Sequence, residues 1–298
     1  MREKQKRAQL ERRLTWVFGS PRTGTTWLLN LVCSHPHVLG IDEPGIGMHL
    51  ALYAPGALGV PAAGFNFQQL RVNDSRAGDD DYFFAASYAD VWRHSVRALL
   101  IDRLAAHVDR ASARSGPVVI KEPNGSLGAD IVMSLLQASR LLWMIRDGRD
   151  VIDSQLDAAQ KGSWLAHFGG GLEGGAAERL SFVEEQAHLW VARTRVVQRA
   201  YDAHAPARRH VIRYEEMRTD TLSTLQSLYG WLGVKEPADL AEIVARRSFE
   251  ALPVESTGSG QFARAATPGL WRDNLTPAEQ RVANGVMGET LAALGYEA

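Results

Sequence analysis

The chain is nearly devoid of cysteine: Cys33 is the one cysteine in 298 residues, so no disulfide can form within it. Such usage fits a reducing compartment, and the run LLNLVC makes Cys33 a small buried hydrophobe. There is no stretch of about 18 apolar residues, the length a membrane-crossing helix requires. The N-terminal MREKQKRAQLERRL is charged and lacks the apolar centre of a secretion signal. The expectation is therefore a cytoplasmic protein with no transmembrane segment. Net charge is also missing: 33 Lys and Arg oppose 34 Asp and Glu, for a formal −1. That argues against a nucleic-acid partner held by bulk electrostatics and leaves a local basic pocket open. No repeat and no low-complexity tract interrupts the chain.

What is present is ordinary globular composition, 45% hydrophobic and 22% charged. A chain of this length buries roughly three-quarters of its unfolded surface and needs no covalent staple. Short apolar runs at 15–19, 117–121, 140–146 and 210–214 read as strands. Helical stretches at 27–34, 88–109, 126–138 and 148–160 alternate with them. That order predicts a single α/β domain with a central parallel sheet covered on both faces. We expect it over 14–298, after a charged N-terminal extension at 1–13. Over 178–204, Leu180, Val183, Ala187, Trp190, Thr194, Val197 and Tyr201 recur in steps of three or four, a core-facing helical stripe. Thr276-Pro277-Ala278-Glu279 reads as a capping box opening a last helix that ends near Gly295. The segments 55–81, 161–175 and 257–269 resist assignment, and long loops of this kind suit ligand enclosure.

The chemistry begins at Gly19-Ser20-Pro21-Arg22-Thr23-Gly24-Thr25-Thr26. A strand precedes it and a helix follows, so its amides face outward with positive partial charge, an anion site. The spacing is that of the nucleoside-triphosphate loop, yet Thr25 stands where that loop carries its lysine. The cation lies inside instead, at Arg22, with hydroxyls at Thr25 and Thr26. The bland alternative is a plain strand-to-helix turn. Further on, Arg146 ends a strand and Ser154 lies eight residues later on the next helix. An arginine and a hydroxyl so placed can grip one phosphate from two sides. Arg146, Asp147, Arg149, Asp150 and Asp153 could equally form a solvated charge cluster.

SPRTGTTWL and IRDGRDVIDS together resemble the sulfotransferases that use 3′-phosphoadenosine 5′-phosphosulfate (PAPS). The resemblance runs from about Thr15 to Thr276 and implies the P-loop-like sulfotransferase fold. It implies that Arg22, Thr23, Gly24, Thr25 and Thr26 hold the 5′-phosphosulfate, and that Trp27 lies against adenine. An aromatic there could also be simple core. Arg146 and Ser154 would meet the 3′-phosphate. Ser248 and Phe249 resemble the family's Ser-Phe segment beside adenine, and Tyr214 its strand-end tyrosine. Arg264, ahead of Gly269-Leu270-Trp271-Arg272, resembles a basic loop that clamps the 3′-phosphate. That loop usually reads Arg-Lys-Gly, and here it reads Arg264-Ala265-Ala266.

The resemblance implies transfer of a sulfuryl group from PAPS to an acceptor hydroxyl, leaving 3′,5′-ADP. Such a transfer needs an anchored donor, a base and cations for the charge that builds. One branch of the family places a histidine after the second-strand lysine; here Lys121-Glu122-Pro123-Asn124 has none. Another branch uses a glutamate after the helix that follows the phosphate loop. Glu43 stands there as candidate base, with Asp42 beside it. Lys121 would meet the sulfuryl oxygens, or else pair structurally with Glu122. No metal is expected, because a sulfuryl group carries less negative charge than a phosphoryl group. His35 and His37 flank Pro36 without a further ligand nearby. Tyr53, Phe65, Phe67, Trp164 and Phe168 give the loops partly apolar walls, and Arg71, Arg76 and Lys161 are their main cations. A small-molecule, carbohydrate or lipid hydroxyl acceptor is therefore expected, with oligomeric state left open. A P-loop small-molecule kinase and a non-catalytic nucleotide-binding protein on the same fold are the competing readings.

Overall fold

The computed structural model describes residues 2–53, 78–111, 116–164 and 172–297. Five parallel strands form one sheet in the order β2-β3-β1-β4-β5. They are β1 (Leu14–Phe18), β2 (Leu39–Asp42), β3 (Val118–Lys121), β4 (Arg140–Ile145) and β5 (Arg209–Arg213). The flanking helices are α1 (Arg2–Arg13), α2 (Thr25–Val32), α3 (Ile46–Tyr53), α4 (Ala89–Arg110), α5 (Ala129–Leu135) and α6 (Gly148–Ala158). They continue with α7 (Ala176–Ala203), α8 (Tyr214–Thr219), α9 (Thr221–Leu232), α10 (Leu240–Arg246), α11 (Trp271–Asn274) and α12 (Pro277–Ala293).

The strands are apolar because both faces are covered. On β1, Leu14, Trp16 and Phe18 enter one core while Val17 enters the other. On β4, Leu141, Trp143 and Ile145 divide in the same way from Leu142 and Met144. The larger core packs against α4, α5, α7 and α12, the smaller against α2, α9 and α10. The stripe on α7 behaves as its spacing predicts: Val183, Ala187, Trp190 and Val197 are buried. The capping box is present at Thr276 and Glu279 and opens α12.

The structure corrects the sequence reading in two places. A fifth strand, β2, pairs with β3 in the register Leu39↔Val118 to Asp42↔Lys121. The stretch expected as one helix over 126–138 is a 3-10 turn, Ser126–Gly128, followed by the short α5. Residues 2–13 form a helix: Leu10 and Glu11 are buried, and Glu11 pairs with Arg97 and accepts the Ala138 amide at 2.9 Å. Most of 55–81 and the centre of 161–175 lie outside the described residues, and with them Phe65, Phe67, Arg71, Arg76, His167 and Phe168.

Because β1 is central and the chain leaves it to either side, the crevice where connections diverge opens at its carboxyl end. Each strand ends there on a residue of interest: Gly19 after β1, Glu43 after β2, Lys121 on β3, Arg146 after β4 and Tyr214 after β5. A glycine contact fixes the β2 side. A Cβ on Gly47 would stand 2.2 Å from the Gly125 carbonyl oxygen, and one on Gly128 would stand 2.1 Å from that of Gly47. The start of α3 thus lies backbone-to-backbone on the 125–128 turn. Gly47→Ala should force the two apart at a cost of about 1–3 kcal/mol. Thermal unfolding would register this as a clear fall in Tm; an unchanged Tm would mean the contact is loose.

Candidate active site

The phosphate loop is built as its sequence implies. Gly24 caps α2 with φ of 88°, a left-handed conformation suited to glycine. A Cβ there would also meet the Tyr214 ring at 2.7 Å, so the position excludes side chains twice over. Thr25 and Thr26 are the first two residues of α2. Thr23 is buried, and its hydroxyl donates to the Ser20 carbonyl at 2.7 Å.

Two non-glycine residues among those described have positive φ: Arg22 at 72° and Glu43 at 44°. Such backbone is held only where its surroundings demand it, at a cost on the order of 1–3 kcal/mol. Both are candidate site residues. Arg22 Nε donates to Ser154 Oγ at 3.0 Å, and Nη2 donates to the Phe262 carbonyl at 2.6 Å. Its guanidinium lies 4.9 Å from the Phe262 ring centre and 5.6 Å from that of Trp164. Arg22 therefore rests against Ser154, the partner expected for Arg146. Arg146 is buried, donates to the Arg22 carbonyl at 2.9 Å and lies 4.2 Å over the Tyr214 ring. Burial, then the charges of Arg146 and Arg264, lower the Arg22 pKa to about 10, still charged at neutral pH.

The acidic residues of α6 are not a solvated cluster. Asp150, Asp153 and Asp157 are all buried and fasten the 257–271 segment. Asp157 accepts from Ser259 Oγ at 2.6 Å and the Gly260 amide at 3.0 Å. Asp153 takes a two-point ion pair from Arg264, one bond at 2.9 Å, and a bond from Asn274 at 3.0 Å. Asp150 accepts the Gly269 amide at 2.7 Å and the Trp271 amide at 3.2 Å. Arg264 is thereby brought within electrostatic reach of Arg22. The Nε atoms of Arg146 and Arg264 are buried with no hydrogen-bond partner.

Trp27 is half-buried, sits edge-on to Tyr214 and donates from its indole nitrogen to the Arg247 carbonyl at 2.7 Å. That bond ties it to the segment carrying Ser248 and Phe249. Tyr214 donates to the Ala266 carbonyl at 3.1 Å, joining the end of β5 to the Arg264 loop.

Across the crevice, Lys121 is 3% exposed and its Nζ meets three groups: Thr26 Oγ1 at 2.9 Å, Asp42 Oδ1 at 2.6 Å and Glu43 Oε1 at 2.8 Å. Asn124 donates to Glu43 Oε2. Sequence reasoning passed over Asn124, although it lies three residues after Lys121. Glu122, the alternative structural partner for Lys121, is not paired with it; its carboxyl is buried near the first amides of α3 without a close hydrogen bond. Burial, then repulsion from Glu43, raises its pKa to about 7, although the amides of Ile46, Gly47 and Gly45 pull it down. His35 bonds the Lys235 carbonyl at 2.9 Å and accepts the His37 amide at 3.0 Å, a structural pairing.

Residues 15–238 match the sulfotransferase family. No curated protein matches the chain. Among solved structures, it is similar to a mouse sulfotransferase, SULT7A1, complexed with PAP: TM-score 0.53 and 13% identity, over 94% of this chain and 84% of that one. It is also similar to the sulfotransferase domain of the Synechococcus PCC 7002 olefin synthase, at TM-score 0.53 and 17% identity, over 96% of this chain and 95% of that one. A retinol dehydratase in complex with androsterone and PAP gives TM-score 0.51 and 15% identity, over 94% of this chain and 81% of that one. These likenesses establish a shared fold. The chain belongs to the sulfotransferase family, and its chemistry is sulfuryl transfer in general terms.

Glu122 makes stability depend on pH. Its folded pKa lies above the ordinary 4.5, so the folded state binds the extra proton between pH 4.5 and about 7. The group's contribution is complete below 4.5 and is lost as pH rises through 7, by on the order of 2 kcal/mol. Glu122→Gln removes the titration. Its Tm relative to the parent protein should therefore rise between pH 5 and pH 8 in thermal unfolding; a pH-independent difference would contradict the assignment.

Proposed function

We propose that this protein transfers the sulfuryl group of PAPS to a hydroxyl of a small-molecule, carbohydrate or lipid acceptor, releasing 3′,5′-ADP, with Glu43 as general base. The observation that carries the reading is the position of Lys121. Its ammonium bonds both Thr26 of the phosphate loop and Glu43 of the β2 end, and so links an anion site to a carboxylate across the crevice.

The residues fit the donor. The charge-lowered Arg22 and the unsatisfied Nε atoms of Arg146 and Arg264 describe a site short of an anion. In this reading the loop amides, Thr25 and Thr26 hold the 5′-phosphosulfate, while Arg146, Ser154 and Arg264 hold the 3′-phosphate. Arg22 lies between the two sets. Trp27, Tyr214, Ser248 and Phe249 line the adenine side. The donor supplies an activated sulfuryl group, and the chain supplies placement and charge. Lys121 offsets negative charge at the reacting centre. Glu43 receives the proton of the acceptor hydroxyl, and Asn124 fixes the carboxylate's orientation from the other oxygen. No metal takes part in this scheme. Residues 14–298 act as one catalytic domain, and a cytoplasmic location accords with the single cysteine; among the described residues no helix is long and apolar enough to cross a membrane.

Glu43→Gln keeps the size and the Asn124 contact but removes basicity. It should lower turnover by at least about 100-fold while leaving 3′,5′-ADP affinity nearly unchanged. Release of product from radiolabelled PAPS over a panel of hydroxyl acceptors measures this. Near-full turnover would pass the role to Asp42. Nucleotide binding with no transfer to any acceptor, in the parent protein as well, would favour the non-catalytic reading.

A further inference from the structure

Arg193 lies on α7, the helix that packs on the 126–128 turn. It is 5% exposed. Among the described residues no hydrogen bond, ion pair or aromatic ring reaches its guanidinium, and its Nε is fully shielded without a partner. Of the other two buried arginines among the described residues, Arg149 bonds Asp147, Asn284 and the Glu297 carbonyl and covers Trp271, and Arg146 donates to the Arg22 carbonyl. An unpaired buried guanidinium is among the costliest groups a fold can carry. Burial lowers its pKa to about 10, so it stays charged at neutral pH.

Among the described residues, the one charged group that acts on Arg193 is Glu43. Both oxygens of Glu43 are already engaged, by Lys121 and by Asn124. Glu43 therefore leaves the donors of Arg193 unmet, within electrostatic reach of the carboxylate that the acceptor hydroxyl has to approach. α7 packs on the 126–128 turn, which also carries the start of α3, so the helix of Arg193 and the segment that follows Glu43 rest on the same turn. A planar fork of donors is matched by a planar acceptor of two hydrogen bonds, a carboxylate. A single arginine calls for a single anionic group, in keeping with a small acceptor.

We propose that Arg193 is an acceptor-binding residue that receives a carboxylate, so that the preferred substrate is a hydroxy acid whose hydroxyl is presented to Glu43. This rests on the sulfotransferase reading above. The alternative occupant of the fork is water alone.

The test is calorimetric titration of the enzyme loaded with 3′,5′-ADP, using two probe acids, 4-hydroxyphenylacetate and 3-hydroxybutyrate, and their primary amides. The acids should bind at least about tenfold more tightly than the amides. Arg193→Gln should erase that preference and leave 3′,5′-ADP affinity unchanged, and Arg193→Lys should keep part of it. If Arg193→Gln fails to fold, Arg193→Met, which keeps the apolar stem, takes its place. Equal or absent binding of acid and amide to the parent enzyme overturns the inference, as does a preference that survives Arg193→Gln. Failure to bind 3′,5′-ADP at all would instead overturn the donor reading and this inference with it; 3′,5′-ADP binding without acid preference overturns this inference alone.

Discussion

Like charge gathered in a small volume is the constraint on which one side of the crevice, the side we propose holds the nucleotide, depends. Arg22, Arg146 and Arg264 come from three separate parts of the chain, and burial, then the charges of Arg146 and Arg264, lower the Arg22 pKa. Such a cluster flies apart unless something fixes each member. Asp153 fixes Arg264, the Tyr214 ring and the Arg22 carbonyl fix Arg146, and Ser154 with the Phe262 carbonyl fixes Arg22. The spacing of Asp150, Asp153 and Asp157 follows from this need. They occupy one side of α6 and pin a loop more than 100 residues away at three points. The left-handed backbone of Arg22 belongs to the same arrangement, in which its guanidinium meets Ser154.

The other side of the crevice, where we propose the acceptor enters, is built on the opposite plan. There one buried ammonium, Lys121, faces two carboxylates, and the nearby Glu122 is forced toward its neutral form. The two sides meet at Thr26, whose hydroxyl accepts from Lys121. Backbone contact at Gly47, Gly125 and Gly128 holds the Glu43 segment close to β3, where a side chain of any size would move it. The two strained residues, Arg22 and Glu43, thus stand one on each side of the crevice.

Much of this was legible in the sequence because it is local. The phosphate loop, the strand-end arginine and the hydroxyl two turns later are fixed by spacing, and the apolar runs gave β1, β3, β4 and β5. β2 escaped notice because Leu39–Asp42 is four residues long, holds a glycine and ends on an aspartate, so its pattern is that of a loop until it pairs with β3. The aspartates of α6 read equally well as surface charge, because their partners lie far along the chain. Arg193 was hidden by the register of α7: it sits one residue off the apolar stripe at Thr194, and nothing in a helical period distinguishes a buried arginine from a solvated one. Asn124 and Glu122 acquire meaning only once β2 brings Glu43 beside them.

The central claim is that the arginine cluster is a receptor for a nucleotide carrying a 3′-phosphate. Calorimetry with chelator present, comparing 3′,5′-ADP with 5′-AMP on the parent protein and on Arg146→Ala, tests it most directly. Loss of a charge-assisted, desolvated contact should weaken 3′,5′-ADP by about 2–4 kcal/mol. The parent protein should strongly prefer 3′,5′-ADP, and Arg146→Ala should abolish most of that preference while scarcely changing 5′-AMP. Equal affinity for the two nucleotides in the parent protein, or equal weakening of both in the variant, would contradict the account.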